Sequence, residues 1–490
     1  MKLSSSRFDM ETSRLERPAL KNYGETLVGG VSGTATTASY TVDLSLGNVH
    51  HLLLSVATTT FTFSLATVVT DAAKRFTLVL RQDATGSRLV SWPASVNWSG
   101  STTPMLSPNA GSVDVFTFLT VDGGATWHGV FSVNDGRRLR NAWGFGVNTN
   151  GQLGNSTAVT RSSPIQIGLL ADWAIVAAGG YHSLAIKTNG TLWSFGYNGY
   201  GQLGTNTTTA TSSPVQVGAL TDWVSVSAGL HHSFAMRSNG TIWGFGRNDL
   251  GQIGDGTVVL KSSPVQVGAL TNWVQLSCGS HTVTAVKSDG TLWVWGRNTT
   301  GQLGDGTIIT KSSPIQIGGL TNWSMVKTAS SHTLAIKTDG TLWSCGSNAY
   351  GQLGDNTVIS KSSPVQIGAF SSWGSISLGT TQSLALRNDG TLWGFGQNSS
   401  GELGNGTTAH RSSPTQIGLR TDWMASGCGF QFSNALRSDG TLWSFGRNSV
   451  GGVLGDGTII NRSSPVQIGL LTNWVSLSTG RQHTIVLKRG

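Results

Sequence analysis

The sequence predicts an all-β protein in two parts: a small β-sandwich or jelly-roll-like domain followed by a seven-bladed β-propeller. Three observations carry this prediction. A tryptophan, any residue, a third residue that is aromatic in all copies but one, and a glycine recur seven times at an interval of 50 residues, at Trp143, Trp193, Trp243, Trp293, Trp343, Trp393 and Trp443. A period near 50 is too long for a helical solenoid unit and fits the four short strands of a propeller blade. Ahead of this array, apolar and polar residues alternate with period two, the mark of half-buried strands. The composition agrees: charged residues make up 11%, while Gly (66) and Trp (18) are abundant, as in turn-rich sheet.

Residues 1–34 read as an arm and linker. They carry mixed charge around one short helical stretch, Phe8 to Arg17, stopped by Pro18, and then pass through Gly29, Gly30 and Gly33. Residues 35–133 form the small β-domain. Its strands are marked by Tyr40, Val42, Leu44 and Leu46, by Phe61, Phe63 and Leu65, and by Phe76, Leu78 and Leu80. It ends in a hairpin of two strands, near Val113 to Val121 and Ala125 to Phe131, around Asp122-Gly123-Gly124. Residues 134–140, with the short basic run Arg137-Arg138-Leu139-Arg140, are a linker to the propeller at 141–490.

One propeller repeat runs Leu192-Trp193-Ser194-Phe195-Gly196, Gly201-Gln202-Leu203-Gly204, Ser212-Ser213-Pro214, Trp223, and Val226 through Met236. A hairpin turn at Asn189-Gly190, Asn239-Gly240, Asp289-Gly290, Asp339-Gly340, Asp389-Gly390 or Asp439-Gly440 leads into each next copy, and these dipeptides predict a type I′ turn. The array begins inside a repeat, at Asn141 to Gly146, and stops where the turn into that same strand would fall. The strand at Asn141 to Gly146 is therefore expected to pair with the C-terminal strand, closing seven blades without an open edge.

Two family resemblances follow from these residues. The segment Val176-Ala177-Ala178-Gly179-Gly180-Tyr181-His182-Ser183-Leu184-Ala185-Ile186 and the repeat around it resemble the regulator of chromosome condensation family, which implies a seven-bladed propeller. The run from Phe76 to Arg88, with Trp92-Pro93 and Asp114-Val115-Phe116-Thr117-Phe118, is similar to a small β-domain of tailed-phage virion proteins. The segment Thr120 to Trp127 also resembles the Asp-box of sialidases and related propellers, where it shapes a hairpin tip and does no chemistry.

Catalysis needs an asymmetric set of unlike groups, whereas a group repeated in every blade is more simply a requirement of the fold. The acidic residues of the propeller recur at turn positions and before the second tryptophan, and Glu402 is its sole glutamate. No catalytic, cofactor-binding or metal-ligating set is assigned. Cys278, Cys345 and Cys428 read as small buried hydrophobes. His182, His232, His332 and His483 share one repeat position, and the family resemblance makes them part of the blade's hydrogen bonding. No apolar run of membrane-spanning length or signal-peptide core occurs, so synthesis in a cytosol is expected.

The net charge of +9 permits an acidic partner without demanding one. Two features are candidates for recognition. A cationic ring precedes the hairpin turns, at Lys187, Arg237, Lys287, Lys337, Arg387, Arg437 and Lys488, with a second set at Arg161, Lys261, Lys311, Lys361, Arg411 and Arg462. On the opposite face the repeats diverge, and Tyr181, Tyr200, His231, Leu250, Tyr350 and Phe430 are the candidate recognition face.

The resulting expectation is a structural component of a tailed-phage virion, in a tail, tail fibre or baseplate. Residues 1–133 would dock on other virion proteins, and the propeller would be displayed toward a host-surface glycan or protein. A homo-oligomer, trimer or hexamer, would multiply weak contacts. Capsid decoration is an alternative. So is a guanine-nucleotide exchange or chromatin-binding module, although the chain lacks the concentrated basic tail that nucleosome binding would use, and nucleic acid is not an expected partner. A glycan hydrolase is disfavoured by the missing carboxylate pair.

Overall fold

The computed structural model describes residues 30–35, 39–44, 49–64, 74–83, 85, 88–98, 106, 113–120, 125–134, 140–168 and 172–489. The helical reading of Phe8 to Arg17 and the hairpin turn at Asp122 to Gly124 lie outside these residues. The chain divides into two compact units, Met1–Arg137 and Arg138–Gly490.

Among the described residues the first unit holds nine strands: β1 Gly30–Ala35, β2 Ser39–Asp43, β3 Val49–Leu54, β4 Thr58–Ser64, β5 Lys74–Gln82, β6 Leu89–Ser91, β7 Val96–Trp98, β8 Val113–Thr120 and β9 Trp127–Asn134. They form a six-stranded sheet of order β1-β3-β5-β8-β9-β7 and a three-stranded sheet of order β2-β4-β6. Val42 and Phe61 from the small sheet share one core with Leu52, Phe76, Phe116, Phe118 and Trp127 from the large one. Phe63 sits edge-on to both Phe76 and Phe118, at 4.9 Å in each case.

The expected sandwich is present as two sheets on one core; its strand directions and the start of its first strand are what the residue pattern left open. The strands from β1 to β6 alternate between the sheets and pair in parallel, β1 with β3, β3 with β5, β2 with β4 and β4 with β6. Among the described residues of this unit, antiparallel pairing enters at β5, β8 and β9. Period-two alternation records which face a side chain takes and says nothing of strand direction, and from β1 to β6 each crossover between parallel neighbours contains a strand of the other sheet. The glycine-bearing stretch expected to be a linker through residue 34 instead contains β1, held in register from Gly30↔Val49 to Ala35↔Leu54. Main-chain pairing does not depend on side-chain size, so glycine composition understates it.

The second unit begins with β10 Arg140–Gly146 and β11 Arg161–Gln166. Six four-stranded sheets follow in chain order at residues 173–216, 223–266, 273–316, 323–366, 373–416 and 423–467, here blades 1 to 6. Blade 7 joins the two ends of the unit: Trp474–Thr479 and His483–Arg489 continue into β10 and β11. The closing pairs run from Arg140↔Arg489 to Gly146↔His483. The first strands of the seven blades touch their neighbours in a closed ring around the axis. Apolar residues cement adjacent blades; Leu184 and Ile186 of blade 1, for example, pack with Trp223, Ala235 and Phe245 of blade 2. Each such buried side chain contributes roughly 1.5–3 kcal/mol.

The hairpin turns differ from the type I′ expectation. Among the described residues Gly190, Gly240, Gly290, Gly340, Gly390 and Gly440 have positive φ near 77°, but the Asn or Asp before each does not. The Gly190 N–H donates to the Lys187 carbonyl at 2.9 Å, and the Lys187 N–H donates to the Thr191 carbonyl at 3.0 Å. This is a three-residue loop, a type I turn closed by a left-handed glycine. The acidic or amide side chain is needed for another purpose. Asn189 Oδ1 accepts from the Thr191 N–H and hydroxyl, and Trp193 Nε1 donates to Thr191 Oγ1 at 2.8 Å. The relay recurs through Asp439, Thr441 and Trp443. In blade 7 Asn141 replaces the threonine, and Trp143 Nε1 has no partner.

A second repeated device fixes the long loop on the other face. Asn198, fully buried, donates to the Thr207 and Thr209 carbonyls, each at 3.0 Å, and accepts from the Leu203 N–H at 2.9 Å. Asn148, Asn248, Asn298, Asn348, Asn398 and Asn448 are likewise buried.

Candidate recognition face

Strand direction sorts the loops onto two faces. In blade 1 the turn at residues 188–190 and the segment leading to Trp223 lie on one face; residues 179–181 and the loop from Tyr197 lie on the other, tied by the Tyr197 N–H donating to the Tyr181 carbonyl at 2.9 Å.

The shared histidines lie within the blade seams. His182 Nε2 is 2.7 Å from Ser233 Oγ, His483 Nε2 is 2.9 Å from Ser183 Oγ, and His332 Nε2 is 2.9 Å from Ser383 Oγ, each pair spanning two blades. Every one of these serines donates its single proton to a backbone carbonyl, of Gln202, Gln152 or Gln352. The histidine must therefore be the donor, which fixes the proton on Nε2. Burial, first of all, lowers these three imidazoles to about 3, so they stay neutral. His232 faces Val283 at the equivalent position and has no hydrogen-bond partner. Gln382 takes the same place by donating to the Gly429 carbonyl at 3.0 Å.

The turn-face cations are engaged with their own blades. Each blade carries an edge-to-face tryptophan pair, such as Trp173 with Trp193 at 6.1 Å and 88°. Lys187, Lys287 and Lys337 place Nζ 4.2, 3.6 and 3.8 Å from the centroids of Trp193, Trp293 and Trp343. Lys488 lies over Trp143 at 5.2 Å. Arg237 and Arg437 pair with Asp222 and Asp422, and Arg387 with Asp389. In the second set, Lys261, Lys311, Lys361 and Arg462 pair with Asp255, Asp305, Asp355 and Asp456. Arg161 and Arg411 belong to the blades in which that aspartate is Asn155 or Asn405.

On the loop face, part of the candidate set converges. Tyr181 stacks on His231 across the seam of blades 1 and 2, with centroids 5.3 Å apart and planes 17° from parallel. Tyr200 and Tyr197 close on the same imidazole at 5.0 and 5.8 Å. Arg481 of blade 7 donates to Tyr181 Oη at 2.5 Å and lies over both Tyr181 and Phe430, at 5.5 and 5.3 Å. Phe430, from blade 6, thereby joins the cluster, with Arg447 on it at 5.9 Å. Two candidates stand apart from it. Leu250 is half-buried and donates its N–H to Gln252 Oε1. Tyr350, 40% exposed, meets His410 edge-on at 5.3 Å at blades 4 and 5.

Sequence reasoning missed the arginines. Arg247 covers Tyr200 at 5.2 Å and holds Asp249 at 2.6 Å. Burial and the positive charges of Arg247 and its neighbours lower His231 and His281 to about 4. The available signal was positional: Arg247, Arg297, Arg447 and Arg481 fall in the same divergent loops as the aromatic candidates. Glu402 does not act as a free carboxylate, because it is buried and accepts the Ser400 N–H at 2.6 Å, as Gln202 does for Tyr200. Among the described residues no group of three His, Cys, Asp or Glu side chains is placed to hold a metal ion.

Comparison with known proteins yields matches for both units. The regulator of chromosome condensation (RCC1) repeat matches seven times, at residues 141–186, 189–236, 239–286, 289–336, 339–386, 389–436 and 439–487. A second form of that repeat matches at 173–202, 223–252 and 273–302. Residues 35–125 match a family described as "Putative phage tail fibre C-terminal domain". No curated protein matches the chain. Among solved structures it is similar to Prp20p from Saccharomyces cerevisiae, described with its binding to Gsp1p and histones, at 21% identity and a TM-score of 0.65, covering 72% of this chain and 94% of that one. Human WBSCR16 is similar at 21% identity and a TM-score of 0.64, covering 72% and 99%. At these identities the likeness is one of fold.

Proposed function

Because the chain belongs to the regulator of chromosome condensation repeat family and carries ahead of those repeats a segment matching a phage tail fibre family, we propose that it is a structural component of a tailed-phage particle. In this reading residues 1–133 dock on other virion proteins, and the propeller is presented to the host surface for attachment. The observation that carries the proposal is the match over residues 35–125. The propeller supports it in a second way. Its hydrogen-bonding groups recur blade by blade as parts of the fold, while unlike residues gather on one face, as on a rigid scaffold that binds. Assembly as a trimer or hexamer would raise avidity without new contacts. Binding to Gsp1p and histones is a property of Prp20p, and fold does not carry it over.

The test is to label phage particles with antibody raised against the propeller and to measure adsorption. Gold at the tail and blocked adsorption are expected. Unlabelled particles, or labelled particles that adsorb normally, would refute docking or attachment respectively.

A further inference from the structure

The first strands of all seven blades surround a cavity of 240 Å³ that opens on the loop face. Its walls are mostly backbone and small side chains, from Ala178 and Gly179 of blade 1 round to Thr479 and Gly480 of blade 7. Six larger side chains break this symmetry: Leu230, His281, Arg297, Leu378, Phe430 and Arg481. No carboxylate lines it. Among the described residues neither Arg297 nor Arg481 is in an ion pair; Arg297 Nε donates to Thr299 Oγ1, and Arg481 to Tyr181. The ring stack of Tyr181, His231 and Tyr200 adjoins Arg481 at the rim.

Half-buried guanidinium groups with no counter-charge impose a positive potential that an anion relieves, and their planar forks match the oxygens of carboxylate and phosphate. Aromatic side chains at the same mouth offer apolar edges against which a sugar ring can rest. A drug-sized pocket is roughly 300–1,000 Å³. The smaller cavity here takes one charged unit, with the rest of a chain lying outside.

We propose that this axial mouth binds an anionic saccharide, with Arg481 and Arg297 holding its carboxylate or phosphate and Tyr181, Tyr200 and Phe430 receiving the sugar. This deepens the attachment reading above and rests on it. The anion has two sources in a bacterial envelope, uronic acid of a capsule or phosphate of lipopolysaccharide, and the chemistry of recognition is shared. The neutral rim at blades 4 and 5, with Ser331, Thr381 and Ser400, leaves recognition to the arc from blade 6 through blade 3.

The experiment measures binding of the full chain to alginate, lipopolysaccharide, neutral dextran and duplex DNA at physiological salt. Binding to alginate or lipopolysaccharide, and not to dextran, is expected, and the preferred one identifies the source. Arg481→Gln and Arg297→Gln should each weaken it by about tenfold or more, with unchanged melting temperature. Arg420→Gln, an exposed cation of the turn face, should not. Tyr181→Phe keeps the ring and removes the hydroxyl that anchors Arg481, so it should weaken binding less. No binding to either acidic polysaccharide, equal loss with Arg420→Gln, or equally tight binding of DNA would overturn the proposal. Failure here in a protein that labels particles and is needed for adsorption would remove this site alone; absence from particles would remove the attachment reading instead.

Discussion

Ser233 Oγ lies 2.7 Å from His182 Nε2 and 2.7 Å from the Gln202 carbonyl, so one hydroxyl accepts from a histidine of the preceding blade and donates to the backbone. Both partners are buried. Ser233→Ala strands two buried polar groups at once and should cost about 1–3 kcal/mol. His232→Ala should cost less than His182→Ala, because His232 has no such bond to lose. Urea unfolding midpoints of the three variants check this order.

The same seams make the fold sensitive to acid. His182, His332 and His483 titrate near 3 in the folded protein, against about 6.5 in an unfolded chain. Between those values the unfolded state binds protons that the folded state refuses, so stability falls as pH falls below about 6.5. Each histidine adds a slope of up to about 1.4 kcal/mol per pH unit. Melting temperature should decline from pH 7 to pH 4.5. Replacing the three histidines by glutamine, the residue that blade 5 uses at Gln382, should flatten that decline while the protein stays folded at pH 7.

On the opposite face Lys287 Nζ is 3.6 Å from the Trp293 centroid, and the residue is buried. Lys287→Met preserves the stem and removes the charge. It should destabilise by about 0.5–2 kcal/mol, with quenched or shifted tryptophan emission as a local readout. An unchanged melting temperature would show the cation to be solvated.

Two glycines separate steric contact from backbone conformation. A Cβ on Gly279 would stand 1.9 Å from the Ala329 carbonyl oxygen of the next blade, whereas one on Gly268, at φ +63°, meets nothing within 4 Å. Gly268→Ala should cost about 1–2 kcal/mol, the strain of a left-handed residue. Gly279→Ala must displace backbone at the axis and should cost more than about 3 kcal/mol, seen as a lost cooperative transition or failure to purify folded.

Much of the propeller was legible because its physics repeats. Seven copies of Trp-x-x-Gly, six with an aromatic third residue, give blade number and phase, and the phase identified the strand at Asn141 to Gly146 as the partner of the last strand. Less was legible where one pattern serves two geometries. Alternation at Tyr40, Phe61 and Phe76 marks strands in either direction, so the parallel coil of the first unit was invisible. Asn189-Gly190 suits a type I′ turn, yet the Asn189 side chain is held by Thr191, which in turn accepts from Trp193, and a longer loop results. The loop-face cluster was half legible. Tyr181, Tyr200, His231 and Phe430 stood out as loop aromatics, but the arginine joining two of them comes from blade 7, and only the ring closure brings Arg481 beside Tyr181.

The central claim is that this chain is part of a phage particle, and mass spectrometry of purified particles tests it most directly. The account predicts peptides from both 35–133 and 141–490 at a fixed, low copy number relative to the capsid protein, as for a tail structure. Recovery of neither part from intact particles would contradict it.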